Sequence, residues 1–355
     1  MTHDWTYAEV CAALLSPGRS TEWTLHVGTS GSTGSPKVAR LRARALRSSA
    51  QSTLDVLGGP GQWLLATPAT HIAGIQVLVR SAIAGIQPVA LTGGPFAVER
   101  FARAANRLTH ERRYTALVPT QAVRLLDSAA GREALAGLDA VLVGGAAVPR
   151  TLRERAAEAG VHLVATYGMS ETAGGCVYDG VPLPVSGMRI AASDELGAGI
   201  VELTGATLAD GYVDKPQLTA AAFRTDPDGS RWFRTDDLGR IDDGVLSVLG
   251  RRDDVINTGG LKVAPHLVED AVHTMVPELG EVVVVATPDP TWGEAVTLVV
   301  VAEDVPALED VRAALRDHLP AHALPQRVVA VDTVPLLGPG KPDRRALRAT
   351  VGRRG

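Results

Sequence analysis

Residues 29–37 read Thr-Ser-Gly-Ser-Thr-Gly-Ser-Pro-Lys, a run of hydroxyl side chains and glycines ended by Pro36 and Lys37. The apolar run Trp23–Val27 ahead of it reads as a strand ending at Gly28. Free backbone N–H groups, hydroxyl donors and one cation suit a chain of phosphates. The lysine does not directly follow the last glycine, as a Walker loop requires, and glycines at 28, 31 and 34 do not make G-x-G-x-x-G. The loop points to phosphate without NTPase or dinucleotide wiring; the same composition also serves as a flexible linker. Tyr167–Glu171 (Tyr-Gly-Met-Ser-Glu) sets a hydroxyl and a carboxylate at a strand end. Arg234–Gly239 (Arg-Thr-Asp-Asp-Leu-Gly) has adjacent carboxylates, expected in a tight turn that grips ribose hydroxyls. Gly250–Val263 couples arginines to an Asp pair and then a Gly-Gly turn, and Gly338–Arg344 presents Lys341 on a loop near the C-terminus. Taken singly, each also reads as a glycine turn, a surface ion pair or a solvated tail.

These groups need a frame, and the pattern around them is α/β. Apolar strand runs at 63–67, 87–92, 114–119, 140–145 and 161–168 alternate with helical patterns at 74–85, 95–108 and 149–160. That alternation implies a sheet whose ligand loops lie at strand C-termini. From 180 to 250, glycine, proline and short alternating strands suggest a β-rich subdomain. After Gly250-Arg-Arg-Asp-Asp the alternation resumes as a compact α+β unit. The expected architecture is a large N-terminal domain over 1–250, of α/β sheet layers plus the β-rich subdomain, followed by a small mobile α+β domain over 251–355.

Taken together and in this order, the motifs resemble those of the adenylate-forming superfamily of acyl-CoA ligases, luciferases and peptide-synthetase adenylation domains, from about residue 25 to 345. The resemblance implies ATP and Mg²⁺, with CoA as co-substrate. It places Thr29, Ser30, Ser32, Thr33 and Lys37 around the ATP phosphates. Gly144, Gly145 and Ala146 would run along the adenine with Tyr167 and Gly168; Ser170 would meet the α-phosphate and Glu171 would bind Mg²⁺. Ser170 stands where the family usually has threonine, which keeps the hydroxyl. Asp236 replaces a usual glycine, so which aspartate holds the ribose stays open, with Asp237 the expected ligand. Arg251 would also reach the ribose. Asp253 falls at the family's hinge, Gly259 and Gly260 at the turn lining the pantetheine tunnel, and Lys341 at the lysine that completes the first half-reaction.

Two features narrow the acid. His71 with Gly74 is followed by Arg80 nine residues on, within an otherwise apolar helix. These read plainly as a core histidine and a snorkelling arginine. Facing the acyl pocket, Arg80 would instead recognise a second, non-reacting carboxylate. The pattern is similar to the o-succinylbenzoate–CoA ligases of menaquinone synthesis, whose substrate has two carboxylates. The phosphate loop also begins early, as in the short actinobacterial ligases of that kind, so an N-terminal shortening is expected. Another aryl- or fatty-acid–CoA ligase, a carrier-protein-loading enzyme and a nucleotide-binding pseudoenzyme stay open as alternatives.

Composition excludes more than it selects. Over 355 residues the net charge is −4, with 45% hydrophobic and 21% charged residues, which gives no reason to invoke nucleic acid. Cys11 and Cys176 are far apart and show no metal-ligand spacing, as in a reducing cytoplasm. The first ten residues have neither a basic n-region nor an apolar h-region, and the longest apolar stretch, 63–91, is broken by prolines, His71 and Arg80. The partners expected are small molecules (ATP, CoA and an aromatic dicarboxylic acid), without membrane insertion; a homodimer is plausible because a shortened domain exposes apolar surface.

Overall fold

The computed structural model describes residues 3–15, 23–29, 37–91, 94–194, 197–280, 282–302, 305–337 and 341–352, with only the backbone of Leu337 and Lys341. By packing, the chain forms two compact units. The first takes Met1–Ala191, Val201–Thr235 and Ile241–Leu246; the second takes Ala192–Ile200, Asp236–Arg240 and Ser247–Gly355. Two short segments thus group with the C-terminal unit although they precede residue 250, and they carry Asp236 and Asp237 with them.

The first unit begins with helix α1 (Tyr7–Leu15) and the hairpin β1 (Thr24–Thr29) and β2 (Lys37–Arg42), followed by α2 (Ala43–Val56). Its seven-stranded sheet consists of β3 (Gln62–Leu65), β4 (Val89–Ala90), β5 (Arg113–Leu117), β6 (Ala140–Val143), β7 (Leu163–Met169), β8 (Gly174–Tyr178) and β9 (Val181–Pro182), in the order β4-β3-β5-β6-β7-β8-β9. The first five in that order are parallel; β8 and β9 continue antiparallel. The parallel strands read as continuous apolar runs because both faces are covered. Leu64, Val141 and Val143 share a core with Phe101, Leu125, Leu135 and Leu152 of the helices on one face. Trp63, Tyr114 and Leu142 share another with Leu54 of α2 and Val77 of α3 (Ile72–Ala84). Two helices between β5 and β6, Pro119–Leu126 and Ala129–Ala136, had no counterpart in the sequence reading.

Parallel strands deliver their C-terminal ends to one edge. His71 before α3, Gly144 after β6 and the short 3₁₀ turn Ser170–Thr172 after β7 all follow such ends. The β1–β2 hairpin pairs from Thr24↔Arg42 to Thr29↔Lys37, and Gly211–Tyr212 adds to β2 as a third strand through Tyr212↔Ala39. Leu25, Val27, Ala39 and Leu41 bury its inner face in a core with Leu14, Leu46 and Ile75.

In the second unit, Val282–Asp289 and Gly293–Val300 form an antiparallel hairpin with Val282↔Val300 in register. Strand alternation sends Val282 and Val284 toward the helices Pro265–Met275 and Leu308–Leu315, and Val283 and Val285 toward Leu347 and Val351 of the last helix, Arg344–Val351.

Candidate active site

The residues expected around the phosphates come together in the first unit from three distant parts of the chain. Thr29↔Lys37 is the last rung of the β1–β2 ladder, so both flank the segment 30–36. Ser30, Ser32 and Thr33 lie outside the described residues. Lys37 Nζ stands 5.4 Å from the centre of the Tyr212 ring. The Tyr212 hydroxyl donates to Glu171 Oε1 at 2.8 Å, and Glu171 is only 6% exposed. Ser170 Oγ donates to the Gly28 carbonyl at 3.3 Å. The turn carrying Ser170 and Glu171 is fixed locally: Met169 N–H donates to Thr172 Oγ1 at 3.0 Å, and Thr172 donates on to Gly174 O at 2.8 Å. A cation, a hydroxyl and a carboxylate therefore converge at the end of β7. Sequence reading missed Tyr212, because a Gly-Tyr pair after a loop looks like ordinary strand filling until β2 pairs with it.

The residues expected along the adenine lie where backbone segments approach closely. A Cβ at Gly144 would sit 2.3 Å from Thr166 Oγ1, and Gly145 adopts φ 82°, which favours glycine. A Cβ at Gly168 would sit 2.2 Å from Gly174 O, where the β7–β8 register shifts between Tyr167 and Gly168. Ala146 is exposed and Tyr167 half-buried, at the ends of the neighbouring parallel strands β6 and β7.

The acid residues separate. His71 is exposed at the start of α3, whereas Arg80 is 3% exposed. Nine helical residues span roughly 13 Å and half a turn in phase, so the two side chains do not converge. Gly74 does not form a turn with His71, as the sequence suggested, but lies in the first turn of α3. A Cβ there would be 2.3 Å from the Pro68 carbonyl, so only glycine lets the helix start that close. Arg80 packs with Cζ 4.9 Å from the Trp63 ring and donates Nη2 to the Tyr178 hydroxyl at 3.3 Å. Its Nε is buried without an acceptor. Burial pushes its pKa down, opposed by Tyr178. Among the described residues no carboxylate pairs with it.

The second unit holds the remaining motifs. Asp236 and Asp237 lie within the strand Arg231–Asp242, not in the expected tight turn; the turn falls at Asp243–Gly244, where both residues take positive φ. Arg251 lies 3.2 Å from Asp236 and 3.8 Å from the less exposed Asp237. The Asp253 carbonyl accepts from Arg348 Nη1 at 2.7 Å. Gly259 and Gly260, at φ 58° and 81°, close the hairpin Thr258↔Leu261 as a two-residue turn of the type glycine favours, against Trp292. Lys341 pairs with Leu337 through its backbone; its side chain lies outside the described residues.

Among the described residues no group of three or more metal-ligating side chains exists. One buried carboxylate, Glu171, does fit a Mg²⁺ ion carried by nucleotide phosphates, since such ions take one or two carboxylates and fill their shell with phosphate oxygens and water. The Ser170 hydroxyl and Lys37 add a hydroxyl and a cation of the kinds that suit phosphate oxygens.

Comparison with known proteins places the chain in a family. The family model described as AMP-binding enzyme matches residues 28–204, and that of the AMP-binding enzyme C-terminal domain matches 268–341. The chain belongs to this family of adenylate-forming, AMP-binding enzymes. It is 46% identical over 330 residues to a probable 2-succinylbenzoate–CoA ligase of Mycobacterium tuberculosis, covering 91% of this chain and 83% of that protein. A medium/long-chain-fatty-acid–CoA ligase of the same organism is 34% identical over 356 residues, covering 90% of this chain and 60% of that protein. The o-succinylbenzoate CoA synthetase of Bacillus subtilis, solved with its acyl-adenylate intermediate, superposes with a TM-score of 0.79 at 26% identity, over 91% of this chain and 68% of that one. The same synthetase with ATP and magnesium gives 0.78 at 26% identity, over 91% and 69%.

Proposed function

We propose that this protein is an o-succinylbenzoate–CoA ligase of menaquinone biosynthesis, which joins the acid to AMP and then to CoA. A carboxylate is a poor acyl donor because its leaving group would be oxide. Attack of the carboxylate oxygen on the ATP α-phosphorus releases pyrophosphate and forms an acyl-adenylate; thiol attack then expels AMP. The first step brings an anion to a polyanion, so its barrier is largely electrostatic. Lys37 supplies positive charge at the phosphates, the Ser170 hydroxyl becomes a donor there by turning from the Gly28 carbonyl, and Lys341 completes the set. Tyr212 orients Glu171 by its hydrogen bond. Mg²⁺ held through Glu171 would offset phosphate charge. Asp237 is assigned the ribose, with Arg251 beside it, because Asp236 is the closer partner of Arg251. Rotation about Asp253 would withdraw Lys341 and bring Gly259 and Gly260 to the thiol route.

The choice of acid rests on one observation: Arg80 is a buried guanidinium without a carboxylate. A substrate with a single carboxylate uses it for adenylation and leaves Arg80 uncompensated; a dicarboxylate satisfies both. Arg80 takes the second carboxylate, and His71, at the open start of α3, lies toward the reacting end. The test is pyrophosphate release with ATP and Mg²⁺ from o-succinylbenzoate, benzoate and octanoate, each with and without CoA. Preference for o-succinylbenzoate with a CoA-dependent thioester supports the reading; preference for octanoate moves the enzyme to the fatty-acid ligases. The reading extends to a homodimer in the cytoplasm. No described helix is long and apolar enough to cross a membrane. A monomeric mass by light scattering would remove the dimer, and recovery of the protein in a membrane fraction would remove the location.

A further inference from the structure

The surroundings of Arg80 carry more than its charge. Thr53 Oγ1 donates to the Ser49 carbonyl at 2.8 Å and lies 2.9 Å from the Tyr178 hydroxyl. Thr53 has one proton, and the Ser49 carbonyl takes it, so Tyr178 must donate to Thr53 and present a lone pair to Arg80. The chain of donors runs Arg80, Tyr178, Thr53, Ser49, and its direction has no alternative at these distances. It fixes one edge of the guanidinium while the Trp63 ring covers a face. Two donors here are buried and lack acceptors, Arg80 Nε and Trp63 Nε1. Buried N–H groups are nearly always paired, and neighbouring orphans next to a positive charge call for an acceptor with two oxygens and a negative charge.

We propose that Trp63 is a second donor, and Tyr178 the positioning residue, of a carboxylate clamp centred on Arg80 that selects acids with two carboxylates. This rests on the assignment of Arg80 to the substrate's second carboxylate. Trp63 Nε1–H and Arg80 Nε–H bind that group together, and Tyr178 holds the guanidinium in the orientation that lets them do so.

The test measures pyrophosphate release with o-succinylbenzoate and with an analogue lacking the second carboxylate, in the wild type, Trp63→Phe, Tyr178→Phe and Arg80→Met. The wild type is expected to favour the diacid. Trp63→Phe and Tyr178→Phe are each expected to lower the diacid-to-monoacid ratio of kcat/KM about tenfold, through KM, as loss of a hydrogen bond to a charged group does. A merely structural role lowers both acids together and leaves the ratio in place, which overturns the clamp. Because Trp63 is a core residue, the wild type is also followed by ¹H–¹⁵N spectra of its five labelled indoles. The resonance absent from Trp63→Phe is expected to move downfield with the diacid and not with the monoacid; no movement with the diacid overturns the role of Trp63. If the wild type has no preference for the diacid, the assignment of Arg80 itself fails. If Arg80→Met removes the preference while the other two variants keep it, the clamp alone fails.

Discussion

Arg80 and Arg344 are both largely buried arginines, one in each unit, and the protein treats them oppositely. Arg344 donates to both oxygens of Glu269, at 2.7 and 3.0 Å, and lies 4.0 Å from Asp254. Burial would lower its pKa, but Glu269 and Asp254 outweigh that and raise it. Arg80 has a phenol, an indole face and an orphan Nε, and its pKa is lowered. Buried charge elsewhere follows the Arg344 pattern: Glu202, 3% exposed, accepts from Arg189 at 2.8 Å and Arg234 at 3.0 Å. A buried ion that serves packing is paired within the fold. A buried charge left without a counterion marks a place where a ligand can complete the pair.

The largest effect is expected just before the paired arginine. Lys341 stands three residues ahead of Arg344, whose helix packs on the valine hairpin. Lys341→Ala is expected to slow adenylate formation by about a thousandfold or more, as loss of a placed transition-state charge does. Thioester formation from supplied acyl-adenylate should be largely spared; equal loss in both half-reactions would contradict hinge-driven exchange of the two sites. Arg344→Ala leaves the buried Glu269 without a counterion and with only the Val284 N–H as donor, and is expected to destabilise the C-terminal unit by about 3–5 kcal/mol in denaturant unfolding.

Arg80→Met probes the other side of the contrast. It should lower kcat/KM for o-succinylbenzoate about a hundredfold, near 2.7 kcal/mol, as loss of a charged pair in a dry site does. The same variant should be as stable as the wild type or more stable, because it removes an uncompensated buried charge and keeps the packing volume. A loss of stability comparable to that of Arg344→Ala would erase the comparison. The smallest effect concerns His266, whose pKa burial holds below its ordinary 6.5, with Glu269 opposing and Arg344 reinforcing that shift. Between that lowered value and 6.5 the unfolded chain binds the proton and the folded chain does not. Stability from this site is therefore complete above pH 6.5 and declines as pH falls through the window. A His266→Gln variant should flatten the melting temperature in that range; an unchanged pH slope would assign it to other groups.

Much of the site was legible in sequence because its chemistry is local. A strand end followed by Tyr-Gly-Met-Ser-Glu carries its hydroxyl and carboxylate wherever the strand lies, and Gly259-Gly260 makes its turn from backbone preference alone. The turn expected at Asp236–Asp237 was wrong for the complementary reason. Burial on both sides of them, with Phe233, Thr235 and Leu238 inside, carries the strand through both aspartates and postpones the bend to Asp243–Gly244. His71 and Arg80 could be singled out as a pair but not as neighbours or strangers, since that depends on which side of α3 faces the sheet.

By itself the sequence determined the α/β alternation, the order of the motifs, the glycines that admit close backbone approach and the family to which the chain belongs. These follow from side-chain periodicity and from conformations that only particular residues adopt. Only the tertiary structure decided that Tyr212 reaches Glu171, that Asp236 and Asp237 group with the C-terminal unit, and that Arg80 lies against Trp63 and Tyr178 without a counterion. Each of those depends on residues that are not neighbours in the chain, set by strand order and helix packing, and local preference carries no information about which distant partner a buried side chain will meet.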